Sequence, residues 1–331
     1  MKPSAIFLLG EDLLERIYAP EDRAHLEERV CIVAPPQTPR MVARDPSVLS
    51  DVSVVFSSWG MPRLDEALLN AAPRLAMIFY GAGSVRGFMT EAAWRRGVRV
   101  TSAYAANGIP VAEYTVASMV FALKRAWDQA RHTRERRAFA RHPDVPGFYE
   151  ATIGLVSLGM IGRTVAERLK AFDARVLAHD PFLTETEAAA LGVRLVALDE
   201  LFRTADVVSL HTPSLPETQG MIGGALIASM KPGATLINTA RGAVIREAEM
   251  IAVLRKRPDI FAVLDVTHPE PPPLDSPLYD LPNVFLTPHI AGSVGRECRR
   301  LGRYMVEELD RWLTGEPLRW EITREHAARM A

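Results

Sequence analysis

The chain has 331 residues, a length that suits two domains with separate cores better than one. Its 48% hydrophobic and 24% charged residues are ordinary for a globular protein, and 39 Lys and Arg against 40 Asp and Glu leave a formal net charge of −1. That balance provides no field favouring nucleic acid or an anionic membrane, so a small molecule becomes the default partner.

Cys31 and Cys298 are the only cysteines, and neither has metal-ligand spacing. They read as two buried free thiols in a reducing compartment, with no metal site. The apolar run before Gly10 is too short for a signal peptide, and no run approaches a membrane span. A cytoplasmic, enzyme-like protein is the expectation.

Along the chain, short apolar runs at 5–9, 30–33, 52–56, 76–80 and 98–101 alternate with segments of helical spacing such as 63–70 and 91–96. The alternation predicts an α/β layer with a mainly parallel sheet. The stretch YAANGIP at 104–110 predicts a break, and 111–130 reads as one long, largely apolar helix. The segment 130–150, rich in charge and carrying Pro143, Pro146 and Gly147, predicts a solvated connecting arm. A second series of strands is expected at 152–156, 175–179, 207–210, 234–238, 260–264 and 284–286. A last long helix at 294–314 would carry the chain back to the first domain.

In doubly wound sheets, ligands bind beyond the carboxyl ends of the strands, where the strand order reverses. The first strand of the second series runs into GLVSLGMIG, Gly154 to Gly162, a G-x-G-x-x-G dinucleotide fingerprint with Ser157 in place of the first glycine. Gly159 would let a pyrophosphate approach the backbone, and Gly162 would permit close packing of the following helix, 163–172. Ser157 is expected to be tolerated, in a backbone conformation that does not require glycine. Asp180 ends the next strand about 20 residues on, where an acid binds the ribose hydroxyls of NAD. No basic residue follows to receive a 2′-phosphate, which favours NAD over NADP.

Further strand ends carry His211, a catalytic group or a support for the nucleotide loop, and Arg241, whose fork can hold a carboxylate and polarise a carbonyl. Asp265 either orients the nicotinamide or caps its loop. Glu270 lies in a proline-rich loop, and His289 follows Thr287 and Pro288. A carboxylate against an imidazole fixes its tautomer, as a proton donor to a carbonyl requires.

With YGAGSV, PVAEYTVA, LGMIG, SLHTP, MKPGATLINTARG, LDV and LPNVFLTPHIAG in this order, the chain resembles the D-isomer-specific 2-hydroxyacid dehydrogenases over almost its whole length. The resemblance implies an α/β protein with a Rossmann-type NAD-binding domain, 107–291, inserted in a flavodoxin-like substrate domain, 1–106 with 292–331. It implies hinges near 104–110 and 291–294, catalysis in the cleft between the domains, and a homodimer formed mainly through the cofactor domains. Arg241, Glu270 and His289 match the family's catalytic residues, and Ala82 and Gly83 match the loop whose N–H groups hold the substrate carboxylate. The implied cofactor-binding set is Thr115, Ser157, Gly159, Met160, Ile161, Gly162, Asp180, His211, Thr212, Pro213, Thr239, Ala240 and Asp265.

The implied reaction transfers a hydride between NAD(H) and a D-2-hydroxy acid/2-oxo acid pair, with His289 as acid/base paired to Glu270. Glutamate in that place argues against a formate dehydrogenase. Departures from the family pattern are Ser157, His268 where an acid is frequent, and GAVIREAEM, which lacks a frequent acidic residue.

Trp59, Tyr80 and Tyr104 follow or end strands of the first domain, and either line the cleft, favouring an apolar or aromatic substrate, or cover the sheet end. Arg86 meets a second carboxylate or a phosphate, or caps its loop. The residues after 314 leave no room for a separate regulatory domain, so feedback through one is not expected. Two other readings stay open: an NAD(H)-sensing binding protein built on this scaffold, and a phosphorylated-acid or phosphite dehydrogenase.

Overall fold

The computed structural model describes residues 2–139 and 145–330, so Ala140 to Asp144 of the expected arm, Pro143 among them, lie outside the described residues. The chain divides into two compact units, Met1–Gly108 with Ser293–Met330, and Ile109–Gly292.

Unit 1 carries β1 (Ser4–Leu8), β2 (Cys31–Ile32), β3 (Val54–Ser57), β4 (Met77–Tyr80) and β5 (Arg99–Ser102), all parallel, in the order β2-β1-β3-β4-β5. This is the flavodoxin-like order. β3 and β4 are buried at every residue, which is why they read as continuous apolar runs rather than as alternating ones. On one face Phe7, Tyr18, Phe56 and Phe79 form an aromatic layer, with Phe56 stacked on Phe79 at 5.4 Å. The helix Cys298–Thr314 closes that layer with Leu301, Met305 and Leu309. It comes so near the chain at Ile17 that a Cβ on Gly302 would stand 2.1 Å from the Ile17 carbonyl oxygen.

Unit 2 carries β6 (Thr152–Val156), β7 (Arg175–His179), β8 (Arg194–Leu195), β9 (Val207–Leu210), β10 (Thr235–Asn238), β11 (Phe261–Leu264) and β12 (Val284–Leu286). All are parallel, in the order β12-β11-β10-β9-β6-β7-β8. Counted from β6, this is the Rossmann order with one strand added at the β12 edge. The order reverses between β6 and β9, so the loops after those two strands flank the crevice where such sheets bind ligands.

Several expectations are corrected. The break expected at 104–110 is the start of a helix, Tyr104–Leu123, that continues through Pro110. Proline removes one backbone donor, but Ala105, Ala106, Val111 and Ala112 are buried around it, and their packing outweighs the lost bond. The interruption comes instead at Arg125, left-handed at φ 49°, whose guanidinium lies 5.1 Å from the centre of the Phe261 ring. A second helix, Ala126–Arg136, then occupies the first part of what reads as an arm. β8 is missed because Arg194–Leu195 contributes a single apolar residue and by itself forms no apolar run, whereas the equally short β2 lies in the run 30–33. Cys31, on the edge strand β2, is exposed, whereas Cys298 is buried.

Among the described residues no helix is long and apolar enough to cross a membrane. Nor does any group of three or more His, Cys, Asp or Glu among them form a candidate metal site.

Candidate active site

β6 passes through Ser157, Leu158 and Gly159 into the helix Met160–Leu169. Gly159 caps that helix with no side-chain bond, and a Cβ built on it meets nothing within 4 Å. The N–H groups of the first turn, from Met160 and Ile161 onward, therefore face an open backbone surface suited to an anion. Gly162 is required for a different reason: a Cβ there would lie 2.2 Å from the Ser157 carbonyl oxygen.

The expectation that Ser157 avoids a glycine-type backbone is overturned, for its φ is 72°. To turn from strand into helix with its carbonyl beneath Gly162, residue 157 enters the left-handed region, at a cost of about 1–2 kcal/mol for an L-residue. Its N–H donates to the His179 carbonyl at 2.9 Å, and its hydroxyl pairs with that of Thr212 at 2.9 Å. The second bond crosses the β6/β9 reversal and offsets part of the strain.

Asp180 is held from two sides. Its Oδ1 accepts the Phe182 N–H at 2.9 Å, as a turn residue would, and its Oδ2 accepts the Leu158 N–H at 2.7 Å, which ties it to the glycine turn. Each carboxylate oxygen keeps acceptor capacity for a hydroxyl group. His211 hydrogen-bonds Ser209 Oγ through Nε2 at 3.1 Å, and burial pushes its pKa down to about 4. A neutral imidazole so held supports the loop carrying buried Thr212 and half-buried Pro213. Buried Thr115 and Thr239 share a hydroxyl–hydroxyl bond of 2.9 Å.

Arg241 follows β10, with its guanidinium donating to the Ala240 carbonyl at 2.6 Å. Burial lowers its pKa while the Glu270 carboxylate opposes the change, and the group remains a cation at neutral pH. A Cβ on Gly242 would sit 2.0 Å from the Thr267 carbonyl carbon. Only a glycine lets the Arg241 turn lie directly on the chain that leads to Glu270. His289 Nδ1 and Glu270 Oε1 are 2.5 Å apart. With Nδ1–H donated to the carboxylate, Nε2 is the nitrogen left to exchange a proton.

Asp265, buried to 1% exposure, accepts from Thr287 Oγ1 at 2.7 Å and from the N–H groups of Ile290 and Ala291, both at 2.8 Å. These bonds cap the loop that leads to His289. They hold His289 at φ 54°, a left-handed conformation that needs such support.

In unit 1 the aromatic residues are mainly packing. Tyr80, 6% exposed, lies against Phe88 at 4.7 Å, and burial pushes its hydroxyl pKa up to about 12. Half-buried Trp59 packs on both cores of the unit, and Tyr104 meets Trp320 and His326 edge-on. Arg86 donates to the Met330 carbonyl at 3.1 Å. The Ala82 N–H, expected to bind carboxylate, is committed to the Tyr80 carbonyl at 2.8 Å, whereas the Gly83 N–H has no partner among the described residues.

Asn238 was not singled out in the sequence, although it is the residue that shapes the arginine turn. Its Oδ1 accepts from Ala240 N–H and its Nδ2 donates to the Arg241 carbonyl, both at 3.0 Å. The polar end of the apolar run LIN was the available signal. Tyr114, whose hydroxyl bonds Thr287 Oγ1 at 2.9 Å, left no such signal inside its helical run.

A family model described as D-isomer specific 2-hydroxyacid dehydrogenase, NAD binding domain, matches residues 116–291. The chain is 32% identical over 320 residues to a D-3-phosphoglycerate dehydrogenase of Mycobacterium bovis, covering 96% of this chain and 56% of that one. It is 34% identical over 257 residues to a glyoxylate reductase of Korarchaeum cryptofilum, covering 76% and 77%. The crystal structure of the TT0316 protein from Thermus thermophilus superposes with a TM-score of 0.77 at 31% identity, covering 96% of this chain and 99% of that one. The chain spans about half the length of the phosphoglycerate dehydrogenases it matches.

Proposed function

The chain belongs to the D-isomer-specific 2-hydroxyacid dehydrogenases, and from that membership we propose that it interconverts a 2-oxo acid and its D-2-hydroxy acid using NAD(H). The observation that carries the reading is the His289–Glu270 pair beside a cationic, largely buried Arg241.

The residues fit the dinucleotide. The helix starting at Met160 offers uncapped N–H donors to a pyrophosphate over an unobstructed Gly159, and Asp180 stands ready for ribose hydroxyls. Bound NADH supplies the hydride that adds to carbon 2 of the oxo acid. His289, protonated and aligned by Glu270, delivers its Nε2 proton to the oxygen that becomes the hydroxyl. Arg241 binds carboxylate and carbonyl oxygen and stabilises the negative charge that grows on the latter. In the oxidative direction neutral His289 takes the hydroxyl proton. The Gly83 N–H receives the substrate carboxylate in the same reading.

NAD is preferred over NADP because the Asp180 carboxylate repels a 2′-phosphate and its neighbour Phe182, 91% exposed, provides no cation. A homodimer formed mainly through the cofactor domains is part of the proposal. Sedimentation at micromolar concentration tests it.

The deciding experiment is a panel of 2-oxo acids, small, aromatic and phosphorylated, each assayed with NADH and with NADPH. The expected result is turnover of at least one acid to the D-hydroxy product, faster with NADH. Intact NADH binding with no turnover on any acid would overturn the reading in favour of an NAD(H)-sensing protein.

A further inference from the structure

The loop after β4 is shaped by buried hydroxyl groups. Ser58, fully buried, donates to the Gly81 carbonyl at 2.8 Å. Ser102, the last residue of β5 and equally buried, donates to the Ala82 carbonyl at 2.9 Å, lies within hydrogen-bonding distance of the Gly83 carbonyl, and accepts the Tyr104 N–H at 3.2 Å. In a trans peptide the C=O and the following N–H point in opposite directions. Drawing the Ala82 and Gly83 carbonyls toward Ser102 therefore turns the N–H groups of Gly83 and Ser84 away from it. Neither N–H has a partner among the described residues, and successive free amides of this kind form an anion-binding concavity. On its far side the loop is tied down by Arg86, through its bond to the Met330 carbonyl.

We propose that Ser102 is a positioning residue for the substrate: its hydroxyl aims the N–H groups of Gly83 and Ser84 as a paired donor for the carboxylate. The inference rests on the reading of this loop as carboxylate-binding, and adds the Ser84 amide and the group that orients both.

The test compares Ser102→Ala, Ser102→Thr and Ser84→Pro, the last deleting one donor, using a 2-oxo acid turned over by the wild type and the corresponding 2-oxo amide. Ser102→Ala raises KM for the acid about tenfold, the upper range for one lost hydrogen bond, with kcat within about twofold and NADH affinity unchanged. The KM of the amide, which lacks the carboxylate charge, changes much less. Ser102→Thr keeps the hydroxyl and recovers most of the loss, and Ser84→Pro reproduces the effect of Ser102→Ala. Melting curves and NADH titration establish that each variant is folded.

Should Ser102→Ala not fold, Ser102→Thr and Ser84→Pro decide, since the proposal requires near-normal KM in the first and a raised, acid-selective KM in the second. An unchanged KM in folded Ser102→Ala, or an equal loss for acid and amide, overturns the role of Ser102. If Ser84→Pro alone raises the acid's KM, the carboxylate reading of the loop survives without Ser102. If Ser84→Pro and Gly83→Pro both leave KM unchanged in active enzyme, that reading fails, and this inference with it.

Discussion

The carboxyl ends of the two sheets differ in what carries their chemistry. In unit 2 side chains do: Asp180, His211, Arg241, Asp265 and His289 each sit within a few residues of a strand end. In unit 1 the segments leaving β3, β4 and β5 begin Ser-Trp-Gly, Gly-Ala-Gly and Ala-Tyr, with no acid or base among them. There the polar work falls to backbone N–H and C=O groups held by Ser58 and Ser102. Under the proposed function the difference becomes a division of labour: the acid/base and cationic side chains Arg241, Glu270 and His289 of unit 2 act on turnover, and the backbone donors of unit 1 act on substrate affinity.

The sharpest way to break that division is His289→Ala. Loss of the acid/base group lowers kcat by roughly 10²–10⁴-fold, while NADH binding by fluorescence titration stays unchanged. Full activity in this variant would remove His289 from the mechanism and leave the fold assignment standing.

A paired test uses glycines that accept no side chain. Gly242→Ala places a Cβ 2.0 Å from the Thr267 carbonyl carbon and must displace the loop leading to Glu270, so kcat falls on the order of 10- to 100-fold. Gly302→Ala in unit 1, 2.1 Å from the Ile17 carbonyl oxygen, costs about 1–3 kcal/mol of stability in urea titrations with NADH affinity retained. A catalytic defect in Gly302→Ala equal to that of Gly242→Ala would contradict the division.

The third test concerns pH. Burial holds His211 down to about 4 from its ordinary 6.5. Between those values the unfolded chain binds a proton that folded unit 2 does not, so stability falls as pH is lowered through that window. The loss is on the order of 1–3 kcal/mol, and His211→Gln flattens the slope in urea unfolding at pH 6.5 and 4.5.

The smallest effect is expected from Ser157→Gly. It relieves the left-handed strain but loses the bond to Thr212, so stability moves by less than about 1 kcal/mol and NADH affinity by less than about threefold. Tightening by well over tenfold would make Ser157 a real defect in the cofactor turn.

Much of this molecule was legible without coordinates, and the reasons differ by residue. Fully buried strands such as 207–210 declare themselves as short apolar runs, and their ends are marked where polarity returns. The helix through Pro110 was misread because its stability comes from buried alanines and valine packed around it, which outweigh a local breaker signal. Asp265 was placed correctly at a strand end, but its alternatives could not be separated, since its bonds reach more than 20 residues along the chain to Thr287, Ile290 and Ala291.

What the sequence determined by itself is therefore which candidate groups are present and roughly where they stand: a glycine turn, an acid after the next strand, and an arginine, a glutamate and a histidine in later loops. Residue identity and local periodicity suffice for that. Only the tertiary structure decided that Ser157 is left-handed, that Asp265 supports the His289 loop, and that the Ala82 N–H is spent while those of Gly83 and Ser84 have no partner among the described residues. Each of these depends on which way a peptide plane or a carboxylate faces, and that direction is set by partners distant in the chain.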